Sequence, residues 1–544
     1  MASLVVMLRL RNAPSTRRLG STAATLLTAL LLLAPVSLPG QDASPYLALD
    51  HWAYPVLELW IARGDVTELS PFTRPYRVSD VLRAAENLDG ANLSASETGI
   101  RDRLVAELTR PVTTTGATTS AAPAEEAIGY FDVRLEAGGR FVTQTHPDPL
   151  QAVLDGAFGD ERVLERFGMI LTGSSRYLAG GVQIRRDGIY RHDPRFPDGQ
   201  VTSRRDGLFT DDLSVRVEEG YVELQIPFLR LGVGRLDRDW GPAATGGFLR
   251  SANPYSADEL TYRFGTDRVF LIGSISAPSD FGADTVRYVA MHRLEVRPSD
   301  RLILAVSESV VYGGPDGRFQ FALANPISIW QIALDDGEIP HNKLGQADIW
   351  WRASRGIALT GSLLADATNF EGSCCQMGGS IGIELADLAP GLLVRAQGTI
   401  IQSLAYRTSL PWEEYSLNRV GFGFDKSDLV LASLEADWYA SPALRLSPRI
   451  DLQVRGEGDF RQLRPPGDEL PDLERLFIGI SETTLRPALA GRWIQPGRFR
   501  VDIEWDAGVS FISDYANIEG DDRTEFTGSV SVRLATPEWG VSLR

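Results

Sequence analysis

The sequence predicts a mainly β protein: a transmembrane outer-membrane β-barrel of about 18 antiparallel strands with a small N-terminal α-helical unit. Two observations lead to this prediction. From residue 129 to the C-terminus, apolar and polar residues alternate with a period of two, in stretches of about 9 to 14 residues. Short turns and long polar connections follow these stretches in turn, which is typical of barrels that cross a bilayer.

The stretch FRVDIEWDAGVSFI, residues 499–512, shows the alternation most clearly. Its apolar face comprises Phe499, Val501, Ile503, Trp505, Ala507, Val509 and Phe511, and its polar face comprises Arg500, Asp502, Glu504, Asp506 and Ser510. Hydrocarbon suits the first face. A wet lumen suits the second, because arginine and acid side chains on neighbouring strands can pair there. A soluble stack of β-sandwiches or a β-propeller is the alternative fold.

Aromatic residues close to the ends of predicted strands are expected to form the girdles at the two membrane interfaces. These residues are Trp350, Trp351, Trp412, Trp438, Tyr439, Trp493 and Trp539.

The N-terminus predicts export. Four arginines precede the apolar segment AATLLTALLLLAPVSLPGQDA, which ends in small residues. This order is typical of a secretory signal peptide, and the apolar run is too short to span a bilayer comfortably. We therefore expect a signal peptide over residues 1–41 and a mature protein in the cell outer membrane.

Residues 45–111 have helical periodicity and predict a periplasmic unit of two or three helices. In DHWAYPVLELWIARGDV apolar residues recur every three or four positions, and Gly64 is placed to end the helix. Ser79 is expected to cap the second helix. The polar, low-complexity residues 112–128 predict a linker to a barrel over residues 129–544.

Composition and motifs exclude several classes of function. A net charge of −17 argues against a nucleic-acid partner, which would require a basic surface. The chain has no HExxH and no phosphate-binding loop, so we expect no enzyme, no cofactor and no metal. A barrel lipase or protease would need a serine–histidine pair, for which Ser307 or Ser309 with His292 can be named. The adjacent Cys374 and Cys375 are expected to be inert thiols or a strained vicinal disulfide.

The stretch GVGRLDRDWGPAATGGFLRSANPYSADELTYRF, residues 232–264, resembles the signature of the Wzi-type capsule assembly family of outer-membrane proteins. In that family an R-x-W-G-P-G element precedes a leucine-rich turn and an S-x-N-A-x-P element. The matching residues are Arg238, Trp240, Gly241, Pro242, Ser251 and Asn253. Ala243 replaces the usual glycine, and Pro254 and Tyr255 depart from the pattern after the asparagine.

The resemblance implies a lectin that attaches or helps to assemble capsular or extracellular polysaccharide at the cell surface. Its partners would be that polysaccharide, outer-membrane lipid and the barrel assembly machinery. A porin or substrate-specific channel is the alternative function, because the polar lumen faces alone would also suit it.

Candidate polysaccharide-binding residues come from two stretches. The motif supplies Arg238, Trp240 and Asn253, and the arginine-rich stretch RRDGIYRHDPRFPDGQVTSRR supplies Arg186, Tyr190 and Arg191. Aromatic rings stack on sugars, while arginine and asparagine donate directed hydrogen bonds to hydroxyls and carboxylates. The alternatives are a solvated loop for the second stretch and, for the motif, a structural charge knot that folds a loop inward.

Overall fold

The computed structural model describes residues 43–109, 129–143, 162–189, 201–204, 212–242, 246–253, 256–278, 284–325, 341–366, 376–417, 419–465, 476–495, 497, 499–537 and 539–543. The predicted signal peptide, the predicted linker and the two cysteines lie outside these residues, as do Tyr190 and Arg191.

The helices are α1 (Tyr54–Arg63), α2 (Val78–Glu86), α3 (Ala95–Leu108) and α4 (Phe321–Ala324). The strands are β1 (Thr73–Arg74), β2 (Gly129–Val142), β3 (Arg162–Ser175), β4 (Leu178–Ile189), β5 (Val201–Arg204), β6 (Asp212–Ile226), β7 (Leu229–Arg235), β8 (Asp239–Trp240), β9 (Glu259–Gly265), β10 (Val269–Ser276), β11 (Val286–Ser299), β12 (Leu302–Gly314), β13 (His341–Ser354), β14 (Ile357–Asp366), β15 (Gln376–Leu385), β16 (Leu392–Ile401), β17 (Ser416–Leu417), β18 (Val420–Gly421), β19 (Leu429–Ser441), β20 (Leu444–Arg455), β21 (Glu482–Gln495), β22 (Arg500–Ser513), β23 (Arg523–Ala535) and β24 (Trp539–Leu543).

A closed antiparallel barrel of 18 strands forms the wall in the described part of the chain. Each wall strand pairs with its neighbours in sequence, and β2 closes the ring by pairing with β3 on one side and with β23 and β24 on the other. β23 and β24 lie end to end along β2 and act as one wall strand, while the short β5 is an extra strand beside β6. Closure leaves no unpaired edge, which is the condition for spanning lipid with strands.

The two ends of the barrel differ in their connections. Turns of a few residues, such as 176–177, 227–228, 300–301 and 442–443, all lie at one end, which we call the short-turn end. The longer connections, including residues 236–258 and 402–428, leave the wall at the other, the long-loop end. This arrangement confirms the pattern of connections predicted from the sequence.

The two faces of the wall differ as the alternation predicts. On β22, Phe511 is exposed on the outside, whereas Asp502 and Asp506 form ion pairs with arginines on the inner face. Exposed large apolar side chains recur on the outer face of the wall, including Phe167, Ile381, Leu434 and Val530. The predicted outer-membrane barrel is thereby confirmed, and the soluble alternative is wrong.

The aromatic girdle is smaller than the sequence predicts. Trp351, Trp438 and Trp539 are exposed on the outer face near the short-turn end. Trp350 and Tyr439 instead point inward and pack against the helices. Alternation alone cannot tell an outer face from an inner face that is also apolar, and this is why the assignment of these two residues was wrong.

The helices begin and end largely at the expected signals. Gly64 ends α1 with φ of 91°, a left-handed conformation that favours glycine. Ser94 and Glu97 form a capping box at the start of α3. The expectation that Ser79 caps α2 is wrong, because the helix begins at Val78 and its N-cap is Arg77.

None of the helices in the described part of the chain combines the length and the apolar character needed to cross a membrane.

Candidate functional site

A helical plug, residues 43–109, occupies the short-turn end of the lumen. Trp60 is fully buried in the apolar core of the plug, and this core also includes side chains from the inner face of the wall. Wall residues in that core are Ile303, Trp350, Ala358, Ala386, Leu393, Tyr439 and Ile494. Because these residues come from seven segments between β12 and β21, one half of the wall is sealed to the plug by apolar packing.

Ion pairs also tie the helical plug to the wall. Asp50 lies 2.9 Å from the Arg185 guanidinium of β4 and 3.1 Å from that of Arg533 on β23. Arg395 of β16 pairs with Glu58 at 2.5 Å. The Asp50 contacts thus hold the plug to β4 and β23, which the apolar packing does not reach, and the Arg395 contact adds to the packing at β16.

A further ion pair joins Glu107 of α3 to Arg500 at the start of β22, and electrostatics stabilise it. Burial alone would raise the pKa of Glu107, but the hydrogen bond with His51 and the charge of Arg500 outweigh it and hold the pKa below its usual range. Glu107 also accepts a hydrogen bond from the Trp52 indole at 2.9 Å. The carboxylate is therefore ionised in the folded protein and links the plug to β22.

The tryptophan loop, here the described residues 236–242, 246–253 and 256–258, enters the lumen from the long-loop end. Its β8 pairs with β1 of the helical plug, and Asp239 lies 2.9 Å from Arg74. Trp240 is only 1% exposed, and its carbonyl accepts a hydrogen bond from the Gln346 amide at 2.9 Å. A Cβ on Gly247 would lie 2.2 Å from the Trp240 carbonyl oxygen, so this tight turn requires glycine.

A buried charge network fixes the base of the tryptophan loop. The Glu259 carboxylate lies 2.9 Å from the Arg238 guanidinium and 3.1 Å from that of Arg250. All three side chains are at least nine-tenths buried. Burial raises the pKa of the neighbouring Asp237 to about 6, with Glu218 acting in the same direction and a hydrogen bond from Ser256 opposing it.

The upper loop, residues 402–428, covers the tryptophan loop. The Tyr406 hydroxyl donates to the Phe248 carbonyl at 2.9 Å, and the Tyr415 hydroxyl donates to the Leu249 carbonyl at 2.8 Å. A Cβ on Gly423 would lie 1.7 Å from the Phe248 carbonyl oxygen, so the two loops touch backbone to backbone. Inward residues of the wall bind the same loop: Arg287 donates to the carbonyls of Glu414 and Ser416.

The inner face of the wall from β20 to β23 is partly exposed to solvent. Asp506 pairs with Arg449 at 2.8 Å and with Arg486, and all three side chains are partly exposed. Asp502 pairs with Arg492 and lies 3.5 Å from Arg533. These contacts confirm the expectation that arginine and acid side chains pair across the lumen face.

The structure separates the residues proposed from the sequence as a binding site. Arg238 and Trp240 are buried in the tryptophan loop. Asn253 is exposed in the same loop, and its side-chain amide donates to the Gly423 carbonyl at 2.7 Å. Arg186 lies on β4 beside Phe167, whose ring centroid is 6.0 Å from its guanidinium carbon. Polysaccharide contact by any of these residues stays a prediction.

Sequence reasoning missed the contribution of the upper loop to the interior. The loop contains the aromatic residues Tyr406, Trp412, Tyr415, Phe422 and Phe424, and this density was the available signal. Long connections in barrels are commonly taken as solvent-exposed, and pattern analysis gives no partner for a loop that folds inward.

The nameable serine–histidine pair is not formed. His292 Nδ1 lies 2.9 Å from the Glu308 carboxylate, whereas Ser307 accepts a hydrogen bond from Arg293. In the register of β11 and β12, Ser307 is the partner of Arg293 and Ser309 that of Met291, so alternation places both on the face opposite His292. Within the described residues, no cluster of histidine, cysteine, aspartate and glutamate could hold a metal ion.

Comparison with known proteins places the fold. No family model and no curated protein matches the chain. Among solved structures it is similar to Wzi, an outer-membrane protein involved in group 1 capsule assembly in Escherichia coli and a carbohydrate-binding β-barrel. The match has a TM-score of 0.60 at 14% identity and covers 92% of this chain and 100% of Wzi.

The chain shares its fold with Wzi. The resemblance predicted from residues 232–264 is therefore confirmed at the level of the fold. The chain is also similar to a BenF-like porin from Pseudomonas fluorescens Pf-5, with a TM-score of 0.43 and 10% identity over 77% of this chain and 99% of the porin. For OprD of Pseudomonas aeruginosa the TM-score is 0.41 and the identity 12%, over 77% and 98%.

Proposed function

We propose that this barrel is an outer-membrane lectin that attaches or helps to assemble capsular or extracellular polysaccharide at the cell surface. The observation that carries the proposal is the filled lumen: the helical plug, the tryptophan loop and the upper loop are hydrogen-bonded to one another or to the wall. A barrel filled in this way is suited to presenting a rigid surface. The likeness in fold to Wzi, a carbohydrate-binding barrel, supports the same function.

The connections between strands indicate which end of the barrel faces the periplasm. In bacterial outer-membrane barrels the short turns face the periplasm and the long loops face outward. The helical plug then faces the periplasm, and the tryptophan and upper loops lie beneath the extracellular surface. Lipid surrounds the apolar outer face, and the barrel assembly machinery inserts the chain.

Asn253 is the described residue best placed to contact saccharide. Its amide donates one hydrogen bond to the Gly423 carbonyl, which fixes the side chain and leaves its carbonyl oxygen and second N–H for sugar hydroxyls. In this proposal Arg238 and Trp240 position the loop from below. Arg186, Tyr190 and Arg191 are proposed as further contacts for an acidic polysaccharide.

Deletion of the gene tests the proposed function. We expect polysaccharide to shift from the cell-attached to the released fraction, and purified protein to bind the same polysaccharide. Asn253→Ala should lower that affinity about fivefold to tenfold, the value of one lost hydrogen bond. Asn92→Ala, an exposed asparagine of the helical plug, is the matched control. An unchanged attached fraction together with no binding by the purified protein contradicts the proposal.

A substrate-specific channel is the second candidate, favoured by the partly exposed ion pairs along β20–β22. A row of such charged side chains can pass a small polar solute along the lumen face and past the plug. Large steady currents from the full-length protein in planar bilayers would favour this candidate over the lectin.

A further inference from the structure

An arginine recess lies between the helical plug and the wall at the short-turn end. It encloses about 590 Å³, including space that opens to solvent. Six arginines line it: Arg74, Arg77, Arg230, Arg238, Arg263 and Arg297. They outnumber two to one the lining carboxylates Glu68, Asp80 and Asp267. Asp267 lies in a short turn and is mostly exposed, which places the mouth of the recess on the short-turn side.

Two of these arginines face each other on neighbouring strands. Arg230 of β7 and Arg263 of β9 are directly opposite in the strand register, and both side chains line the recess. Like charges in that position destabilise a sheet. Arg263 has a single acid partner, the exposed Asp267 at 3.5 Å, and donates to the Thr266 carbonyl. Arg230 donates a hydrogen bond to the Tyr46 hydroxyl and is attracted by the charges of Glu223 and Asp80, although in the described structure neither carboxylate lies within ion-pair distance.

The remaining arginines are held in place by their own partners. Arg77 binds Asp80 through two nitrogens, at 2.8 and 2.7 Å. Arg297 binds Glu295 at 3.1 Å and the Glu68 carbonyl at 2.8 Å. The Nε atom of Arg74 is buried and has no hydrogen-bond partner in the described structure. The recess therefore has a rim of fixed side chains and two facing guanidinium groups, of which only that of Arg263 forms an ion pair, with the exposed Asp267.

We propose that the arginine recess binds a phosphate group. Its arginines come from β7, β9, β11, the tryptophan loop and the helical plug, so N–H donors approach from several directions. That arrangement matches the tetrahedral oxygens and double charge of a phosphate better than a planar carboxylate, which a single guanidinium fork saturates. The Phe270 ring, 4.2 Å from the Arg263 guanidinium carbon, holds that side chain in place. Bound phosphate removes the repulsion between Arg230 and Arg263.

The source of the phosphate is either a free phosphate or a glycerophosphate headgroup of the inner leaflet. The recess opens at the end opposite the long loops, so this inference does not depend on polysaccharide binding. Loss of one activity would leave the other measurable.

Calorimetric titration of the full-length protein, purified in a phosphorus-free detergent, tests the proposal. The probes are inorganic phosphate, glycerol 3-phosphate and glucuronate at equal ionic strength. We expect inorganic phosphate or glycerol 3-phosphate to bind and glucuronate to bind at least about tenfold more weakly. Tighter binding of glycerol 3-phosphate identifies a headgroup, whereas equal or tighter binding of inorganic phosphate identifies the free anion.

Arg263→Gln and Arg230→Gln should each weaken phosphate binding by roughly tenfold or more, the value of one charge-assisted hydrogen bond. Arg263→Gln should not lower the melting temperature in phosphate-free buffer, because it relieves a like-charge contact with Arg230. Arg268→Gln is the control. Arg268 lies in the turn beside Asp267 but does not line the recess, so this variant should bind phosphate as the parent protein does. Absence of phosphate binding, equal binding of glucuronate, or unchanged binding in both variants overturns the proposal.

Discussion

At the scale of single residues, buried ion pairs hold the inward-folding loops in place. Glu259 bridges Arg238 and Arg250 where water cannot replace it. The neighbouring Asp258 makes an ion pair of similar length with Arg235, at 2.8 Å, but its side chain is 72% exposed. Two adjacent carboxylates thus make the same kind of contact in opposite environments.

Glu259→Gln should destabilise the barrel by about 3–5 kcal/mol, because it leaves two buried guanidinium groups without a counter-charge. Asp258→Asn, the matched control, should cost no more than about 1 kcal/mol. Measuring the free energy of unfolding in urea for both variants tests this difference. Equal costs would show that the tryptophan loop does not need its buried network.

A second residue-scale prediction concerns pH. The pKa of Glu107 is lower in the folded protein than its ordinary value of 4.5, because His51 and Arg500 outweigh the effect of burial. The folded chain therefore binds this proton less tightly than the unfolded chain does. The resulting stability is present above pH 4.5 and is lost as the pH falls through and below that value.

Proteolysis of the helical plug at a series of pH values measures the effect. In the parent protein cleavage should accelerate as the pH falls below 4.5. Glu107→Gln should be cleaved faster at neutral pH and show a weaker pH dependence. An unchanged pH profile in the variant would contradict the role given to this carboxylate.

At the scale of elements, alternation specifies which face of each strand meets lipid. Val530 and Ser531 are adjacent on β23, and Val530 is exposed on the outer face. Ser531 pairs in register with Glu504, which belongs to the polar face of β22. The same substitution at these two positions therefore enters two different solvents.

Val530→Arg should destabilise the barrel in lipid by about 2–4 kcal/mol if the residue lies near the midplane. Ser531→Arg should cost less than about 1 kcal/mol, since it faces the lumen, where Glu504 on one neighbouring strand offsets Arg140 on the other. Guanidinium unfolding of protein folded into lipid vesicles measures both. A larger cost at Ser531 than at Val530 would reverse the assignment of the two faces.

The sequence predicted the wall better than the interior, and the reason is physical. Strands such as β22 are specified locally, because a lipid face and a wet face impose a period of two. The positions of Trp350 and Tyr439 depend on the helical plug, and those of Tyr406 and Tyr415 depend on the tryptophan loop. Such contacts join residues more than 150 positions apart, and no local pattern encodes them.

The motif was predictable in part. The burial of Trp240 and the ion pair of Arg238 fit the alternative of a charge knot that folds a loop inward. The acid partner Glu259 lies 21 residues from Arg238 and could not be singled out among so many carboxylates. The opposition of Arg230 and Arg263 required the strand register.

At the scale of the whole molecule, the wall is continuous and the lumen is filled in layers. The helical plug seals against β12–β21 by apolar packing and reaches β4, β16, β22 and β23 by ion pairs. The tryptophan and upper loops form a second layer above it. A barrel of this construction presents a surface at the long-loop end and admits little through its centre.

Conductance in planar bilayers tests this closure most directly, by comparing the full-length protein with a variant that lacks residues 43–109. The full-length protein should be nearly silent, and the variant should conduct more, because the short-turn end is then open and one layer remains. Heat-modifiable gel mobility should show a folded barrel in both samples. Large steady currents from the full-length protein would contradict a closed lumen and favour a channel instead.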